Sequence, residues 1–184
     1  EEACAVTPLV RDAVIFLPAE GAPGATAPLR TLAGLPLLQR QLLWLGRHHV
    51  STVSLVAAPD AHAALRARLG SWQKRPGLPR VEMHAGPVPA TPPTPNPALL
   101  LDGSVLHHPD LLSHAIAAEG HFAYFDREGR PCGLGVGRLD AVHGIEGLQT
   151  LPRVALPGGC FAVAVEGEAE ARKAEDLLYR SCVK

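Results

Sequence analysis

The sequence is poor in cysteine and has no cysteine pair. Its four cysteines, Cys4, Cys132, Cys160 and Cys182, stand far apart with no C-x-x-C spacing. This excludes a zinc ribbon and a disulfide framework, and it predicts reduced, mostly buried thiols in a cytosolic domain. No run of about 18 apolar residues occurs, so the chain has no transmembrane helix and is not expected to insert directly into a membrane. Charge imbalance is missing too: 17 Lys and Arg stand against 18 Asp and Glu. Nothing in the global balance therefore favours nucleic acid or an anionic membrane surface. No signal peptide is visible, no internal repeat appears, and the chain starts at Glu1. The expectation is a single domain over residues 1–184, excised from a longer protein. The richness in Ala, Pro, Leu and Arg fits a GC-rich bacterial source.

The most informative stretch is residues 13–57. Ala13-Val14-Ile15-Phe16-Leu17 is a short apolar run, as expected of a strand buried on both faces. A loop rich in Gly, Ala and Pro runs from Pro18 to Pro28. Gly34-Leu35-Pro36-Leu37-Leu38 opens an amphipathic helix to about His48, with Leu38, Leu42, Leu45 and Trp44 at core spacing. Thr52 to Ala57 is a second strand. Strand, glycine-containing loop, helix and strand make a βαβ unit, and ligands of open α/β sheets bind off the carboxyl ends of such strands.

Further along, residues 1–12 read as a lead-in. A helix is expected from Pro59 to Leu69, with Asp60 as N-cap and Gly70 after its end. Arg80 to His84 reads as a strand, and the proline-rich run 86–97 as an exposed extended loop. Ala98 to Leu101 is a buried strand ending at Asp102-Gly103-Ser104, and Pro109 opens the next helix, to about Glu119. Two strands follow, from His121 to Phe125 and from Gly133 to Arg138, joined by a turn at 126–129. A short helix at Leu139–Leu148, a last strand at Gly159–Val165 and a last helix from Glu168 to Cys182 complete the chain. Alternating strands and helices predict a three-layer α/β/α sandwich with a mainly parallel sheet, to which the later strands add an antiparallel member. Gly133-Leu134-Gly135-Val136-Gly137 lacks the strand–turn–helix context of a dinucleotide site and reads as a glycine-rich strand. The pairs His48-His49 and His107-His108 are poor metal ligands, because adjacent side chains point apart.

The order of these motifs resembles the sugar-nucleotide type of nucleotidyltransferase. In that family a strand is followed by L-A-A-G-x-G-x-R, a lysine, and then G-K-P-L. Here the run Ala13 to Leu17 and the segment Gly34 to Leu42 take those places. Leu99 to Leu112 is similar to the family's strand ending in Gly-Asp before a helix beginning Pro-Asp/Glu-Leu-Leu. Ala169 to Leu178 resembles its closing helix. The terminal Leu177 to Lys184 looks like the junction in fused proteins where such a domain, often an inositol-phosphate cytidylyltransferase, precedes a membrane CDP-alcohol phosphatidyltransferase. The resemblance implies a Rossmann-like, nucleotide-diphospho-sugar transferase-like fold and a nucleotide ligand. It also implies a cytoplasmic domain tethered at the inner face of a membrane through a C-terminal membrane domain of the same chain.

On that alignment the loop residues Leu17, Ala19, Gly21 and Gly24, with Arg30, correspond to the nucleotide-binding segment. The family's loop lysine falls on Ala27, and that of G-K-P-L on Leu35. Pro18 and Pro23 remove amide donors from the loop, and Glu20 adds a negative charge. The family's metal aspartate falls on Ser104, with Asp102 two positions earlier on the same face of the strand. Its second carboxylate falls on Glu166. Two readings follow. In one, Asp102 and Glu166 hold Mg²⁺ and Arg30 steadies phosphate while a phosphorylated polyol or sugar attacks CTP or another nucleoside triphosphate. In the other, Asp102-Gly103-Ser104 is a plain turn, Arg30 is a surface arginine, and the domain keeps the fold without the catalysis. Three changes of residue type, at Ala27, Leu35 and Ser104, favour the second reading, since loss of one charge-stabilising group commonly costs about 10²–10³ in rate.

Overall fold

The computed structural model describes residues 10–86, 88, 97–140 and 142–182. Cys4, the lead-in at residues 1–9, most of the proline-rich run and residues 183–184 lie outside them. The chain begins with β1 (Asp12–Phe16), followed by a small hairpin of β2 (Thr31–Leu32) and β3 (Leu35–Pro36). It continues with α1 (Leu37–Arg47), β4 (Thr52–Val56), α2 (His62–Trp72) and β5 (Arg80–His84). Next come β6 (Ala98–Asp102), β7 (Val105–His107), α3 (Pro109–Ala117), β8 (Phe122–Phe125) and β9 (Pro131–Gly137). Last are β10 (Arg153–Ala155), β11 (Ala162–Ala164) and α4 (Glu168–Cys182).

Seven strands form one sheet in the order β10-β8-β9-β6-β1-β4-β5. β1 lies parallel to β4 and β6, β4 to β5, and β8 to β10. The antiparallel member is β9, between β6 and β8. The chain is thus an α/β protein with a mainly parallel central sheet flanked by helices, a Rossmann-like three-layer arrangement.

The strands are apolar on both faces because both faces are covered. Ala13, Ile15, Val53, Leu55, Leu99 and Leu101 pack with the buried residues of all four α-helices. Val14, Phe16, Ala98, Leu100, Ala123 and Phe125 point the other way, onto Val142 and Leu148. That second outer layer is thinner, built around a 3₁₀ helix at Ile145–Thr150. The glycine-rich strand makes its close approach possible. A Cβ on Gly135 would lie 2.7 Å from the Phe122 carbonyl oxygen and 3.0 Å from Leu148 Cδ2, and one on Gly137 would lie 3.3 Å from Leu151 Cδ1. Leu134 and Val136, between them, fill the α-helical face.

Several expected elements shift. The hairpin β2–β3 precedes α1, which starts at Leu37 rather than Gly34. Asp60 does not cap α2; it sits in a 3₁₀ turn at Pro59–Ala61, and α2 starts at His62. Gly70 lies inside α2, not after it, at an exposed position with open space around it. Residues 142–144 are not helical, since Gly144 is extended (φ −169°), and only 145–150 coil, as a 3₁₀ helix. The expected last strand is shorter and pairs with β7, outside the main sheet.

The glycines at 70 and 135 yield opposite expectations. Gly70→Ala raises stability by about 0.5–1 kcal/mol, because an open helix interior prefers alanine. Gly135→Ala lowers it by about 1–3 kcal/mol, because a backbone oxygen stands where the new methyl must go. Thermal unfolding should show Tm rising in the first variant and falling in the second. A shift of the same sign in both would refute this packing of β9.

Candidate functional site

The carboxyl ends of β1, β4 and β6 stop at one level. Phe16 pairs in register with Val56 on one side and with Asp102 on the other. All three residues line a cleft of about 460 Å³. Backbone bonds run on past the strand ends, from Leu17 N to the Val56 oxygen and from Gly103 N to the Phe16 oxygen, both 2.9 Å.

Asp102 and Ser104 form a tight Asx turn. Asp102 Oδ1 accepts from the Ser104 amide (2.8 Å) and from the Ser104 hydroxyl (2.6 Å). The turn is held from below by Gln41, a side chain of α1 that is 1 % exposed. Its Nε2 donates to the Asp102 carbonyl (3.1 Å) and the Val105 carbonyl (3.0 Å). Glu166 reaches the same cleft by a different route. The β7–β11 ladder carries it there, and Val165 N donates to the Ser104 oxygen (2.9 Å) just before it. Glu166 is exposed on the cleft wall.

Of the expected nucleotide-binding residues, Leu17 and Ala19 line the cleft. Gly21 is exposed with φ +78° and does not line it. Gly24 (φ +79°) is buried against the Asp102 turn, where a Cβ would lie 3.0 Å from Ser104 Cβ. The loop closes on itself as a chain of turns. The amides of Ala22, Ala25 and Ala27 donate to the carbonyls of Ala19, Ala22 and Gly24 at 3.1, 3.0 and 2.9 Å. Arg30 does not line the cleft and pairs with Glu168 at the start of α4, at 3.1 Å. Glu20 lines a neighbouring apolar pocket rather than the cleft.

The cleft also holds His143 and Glu146, from the loop before and the first turn of the second-layer 3₁₀ helix. No motif in the sequence marks them. The cleft wall therefore carries three carboxylates, from Asp102, Glu146 and Glu166, and no lysine or arginine among the described residues. The donor set fits a resident Mg²⁺ poorly. One oxygen of Asp102 is already engaged by two donors, and the described residues contain no cluster of three or more Asp, Glu, His or Cys able to hold an ion.

Behind the site His107 is buried, 1 % exposed, with Nε2 2.9 Å from the Cys132 carbonyl. Burial holds its pKa below the usual imidazole value, opposed by the Cys132 carbonyl, the Asp102 charge and the Gly133 backbone. His108 does different work: its Nδ1 accepts the Asp110 amide (3.1 Å) and caps α3. Neither member of this pair shares a metal-ligand cluster among the described residues. Cys132 is buried and its thiol is pushed up to about 11, which makes it unreactive.

No known family model matches this chain, and no curated protein matches it. The fold and the cleft define an α/β domain with a carboxylate-lined cleft at the carboxyl edge of a mainly parallel sheet. No helix among the described residues is long and apolar enough to cross a membrane.

The buried histidine makes stability acid-sensitive. The unfolded chain protonates it near the ordinary pKa of about 6.5, while the folded chain keeps it neutral to lower pH. Its contribution is therefore complete above about pH 6.5 and is lost as pH falls through the depressed folded value, at up to about 1.4 kcal/mol per pH unit. His107→Gln, which keeps a donor for the Cys132 carbonyl, should flatten that limb. Urea unfolding of both proteins at pH 7.5 and 5.5 checks it, and an identical loss on acidification in the two would refute the assignment.

Proposed function

We propose that this chain is a nucleotidyltransferase-like domain that keeps the family's cleft and has lost its phosphate-handling groups. Its role is then structural, regulatory or partner-binding, beside a CDP-alcohol phosphatidyltransferase in the same longer chain. The observation that carries this reading is the cleft's charge. Three carboxylates line it, and the nearby Arg30 is spent on Glu168. Nucleotidyl transfer builds negative charge on a triphosphate, and catalysis needs cations and amide donors aimed at it. Here the expected lysine positions are Ala27 and Leu35, two loop positions are proline, and three loop amides are bonded within the loop. The order of motifs along the chain supports the family link, and the resemblance of residues 177–184 supports the attached transferase.

A second reading has one observation in its favour. Asp102 and Glu166, the two carboxylates that an active Mg²⁺-dependent cytidylyltransferase would use here, line the same cleft. In that reading Asp102 and Glu166 would hold the metal, which would supply charge stabilisation for nucleotidyl transfer.

Thermal unfolding with CTP, UTP, GTP and ATP, each with and without Mg²⁺, separates the two. A ligand at 100 times its Kd adds about 2.7 kcal/mol, a rise of roughly 5–10 °C for a domain of this size. The proposal expects no rise with any of the four. A Mg²⁺-dependent rise with one nucleotide, abolished by Asp102→Ala, would overturn it in favour of the transferase.

A further inference from the structure

We propose that the pocket between the loop after β1 and the start of α2 binds a small apolar amine. This pocket is separate from the carboxylate cleft and does not depend on the reading above. Its volume, about 310 Å³, falls within the range of about 300–1,000 Å³ typical of small-molecule sites. Its walls are apolar and come from two elements: Leu17, Pro28 and Leu29 on the loop side, and Ala57, Ala64 and Leu65 on the helix side. Two exposed carboxylates, Glu20 and Asp60, also line it, and no lysine, arginine or histidine does so among the described residues.

This composition chooses its occupant. An anion of any kind meets two like charges and no cationic side chain, with the Thr26 hydroxyl as the one side-chain donor among the described lining residues. A purely apolar group fills the walls and leaves the carboxylates idle. A ring or short branched chain carrying an ammonium satisfies both: the hydrocarbon covers the leucine and alanine walls, and the charge faces Glu20 and Asp60. Leu29 gives the walls a reason to be covered. It is 37 % exposed, one of three large apolar side chains left so open among the described residues. Leu17 and Pro18 belong to both the pocket and the cleft, so an occupant would rest against the wall the two share.

The probe is 2-phenylethylamine, titrated into ¹⁵N-labelled protein at low salt and pH 7.5. Controls are 2-phenylethanol and 3-phenylpropionate, which keep the ring and change the charge. The expected result is saturable movement of amides in residues 57–65 and 17–29. The order of affinity should be amine, then alcohol, then acid. The double variant Glu20→Gln/Asp60→Asn should weaken the amine about three- to tenfold and leave the alcohol unchanged. Ala64→Trp should abolish binding by filling the pocket while the spectrum stays dispersed. Ala64→Met, a good helix former, serves the same purpose should tryptophan disturb α2. The proposal is overturned by any of four outcomes. These are no saturable binding at millimolar amine, shifts confined elsewhere, equal affinity for amine and acid, and unchanged binding in the filled variants.

Discussion

The parallel register of β4, β1 and β6 is the constraint on which the site depends. Phe16 stands opposite both Val56 and Asp102, so three strands end together and their last residues meet at one wall. Side chains alternate faces along a strand, and a slip of one residue would turn Asp102 to the opposite face. Gln41 guards that register. A buried amide on α1 donates to carbonyls on both sides of the Asp102 turn, so the first βαβ unit and the turn after β6 cannot shift independently. Replacing it by an apolar side chain would leave two carbonyls without that donor, at about 1–3 kcal/mol.

The electrostatics of the cleft follow from what surrounds that wall. Carboxylates arrive from three directions: the end of β6, the segment after β11, and the second-layer 3₁₀ helix. No lysine or arginine arrives with them among the described residues. Arg30 is close in sequence to the loop, yet it lines neither the cleft nor the neighbouring pocket. Its bond to Glu168 is partly exposed and worth at most about 1 kcal/mol. Breaking that bond costs little, but it does not by itself bring the guanidinium to the cleft.

What was legible in the sequence was governed by local pattern. The apolar runs of β1, β4 and β6 and the stripe of α1 read correctly because continuous burial and helical spacing leave direct marks. The last helix, Glu168 to Cys182, coincides with its expected span. Pairings between distant short segments left no such mark. β7 and β11 are three residues each, and β2 and β3 are two each. Gly70 misled because an exposed glycine inside a helix looks like a terminator. The resemblance paired Asp102 with Glu166, and both line one cleft. His143 and Glu146 come instead from the loop before and the start of a 3₁₀ helix whose layer packs on β1, β6 and β8, a long-range contact that leaves no local mark.

The loop after β1 shows why single substitutions would not turn it into a phosphate cradle. A phosphate cradle needs amides pointing outward. Here Pro18 and Pro23 have none, and the amides of Ala22, Ala25 and Ala27 point back into the loop. Freeing those three would cost about 0.5–1.5 kcal/mol each before any ligand is bound. Gly24 adds a further lock, because its left-handed backbone seats the loop directly on Ser104. A lysine placed at position 27 would not be enough, since Ala27 is fully buried at the foot of the same loop. These loop amides are thus engaged in internal turns, and Gly24 serves the loop's packing.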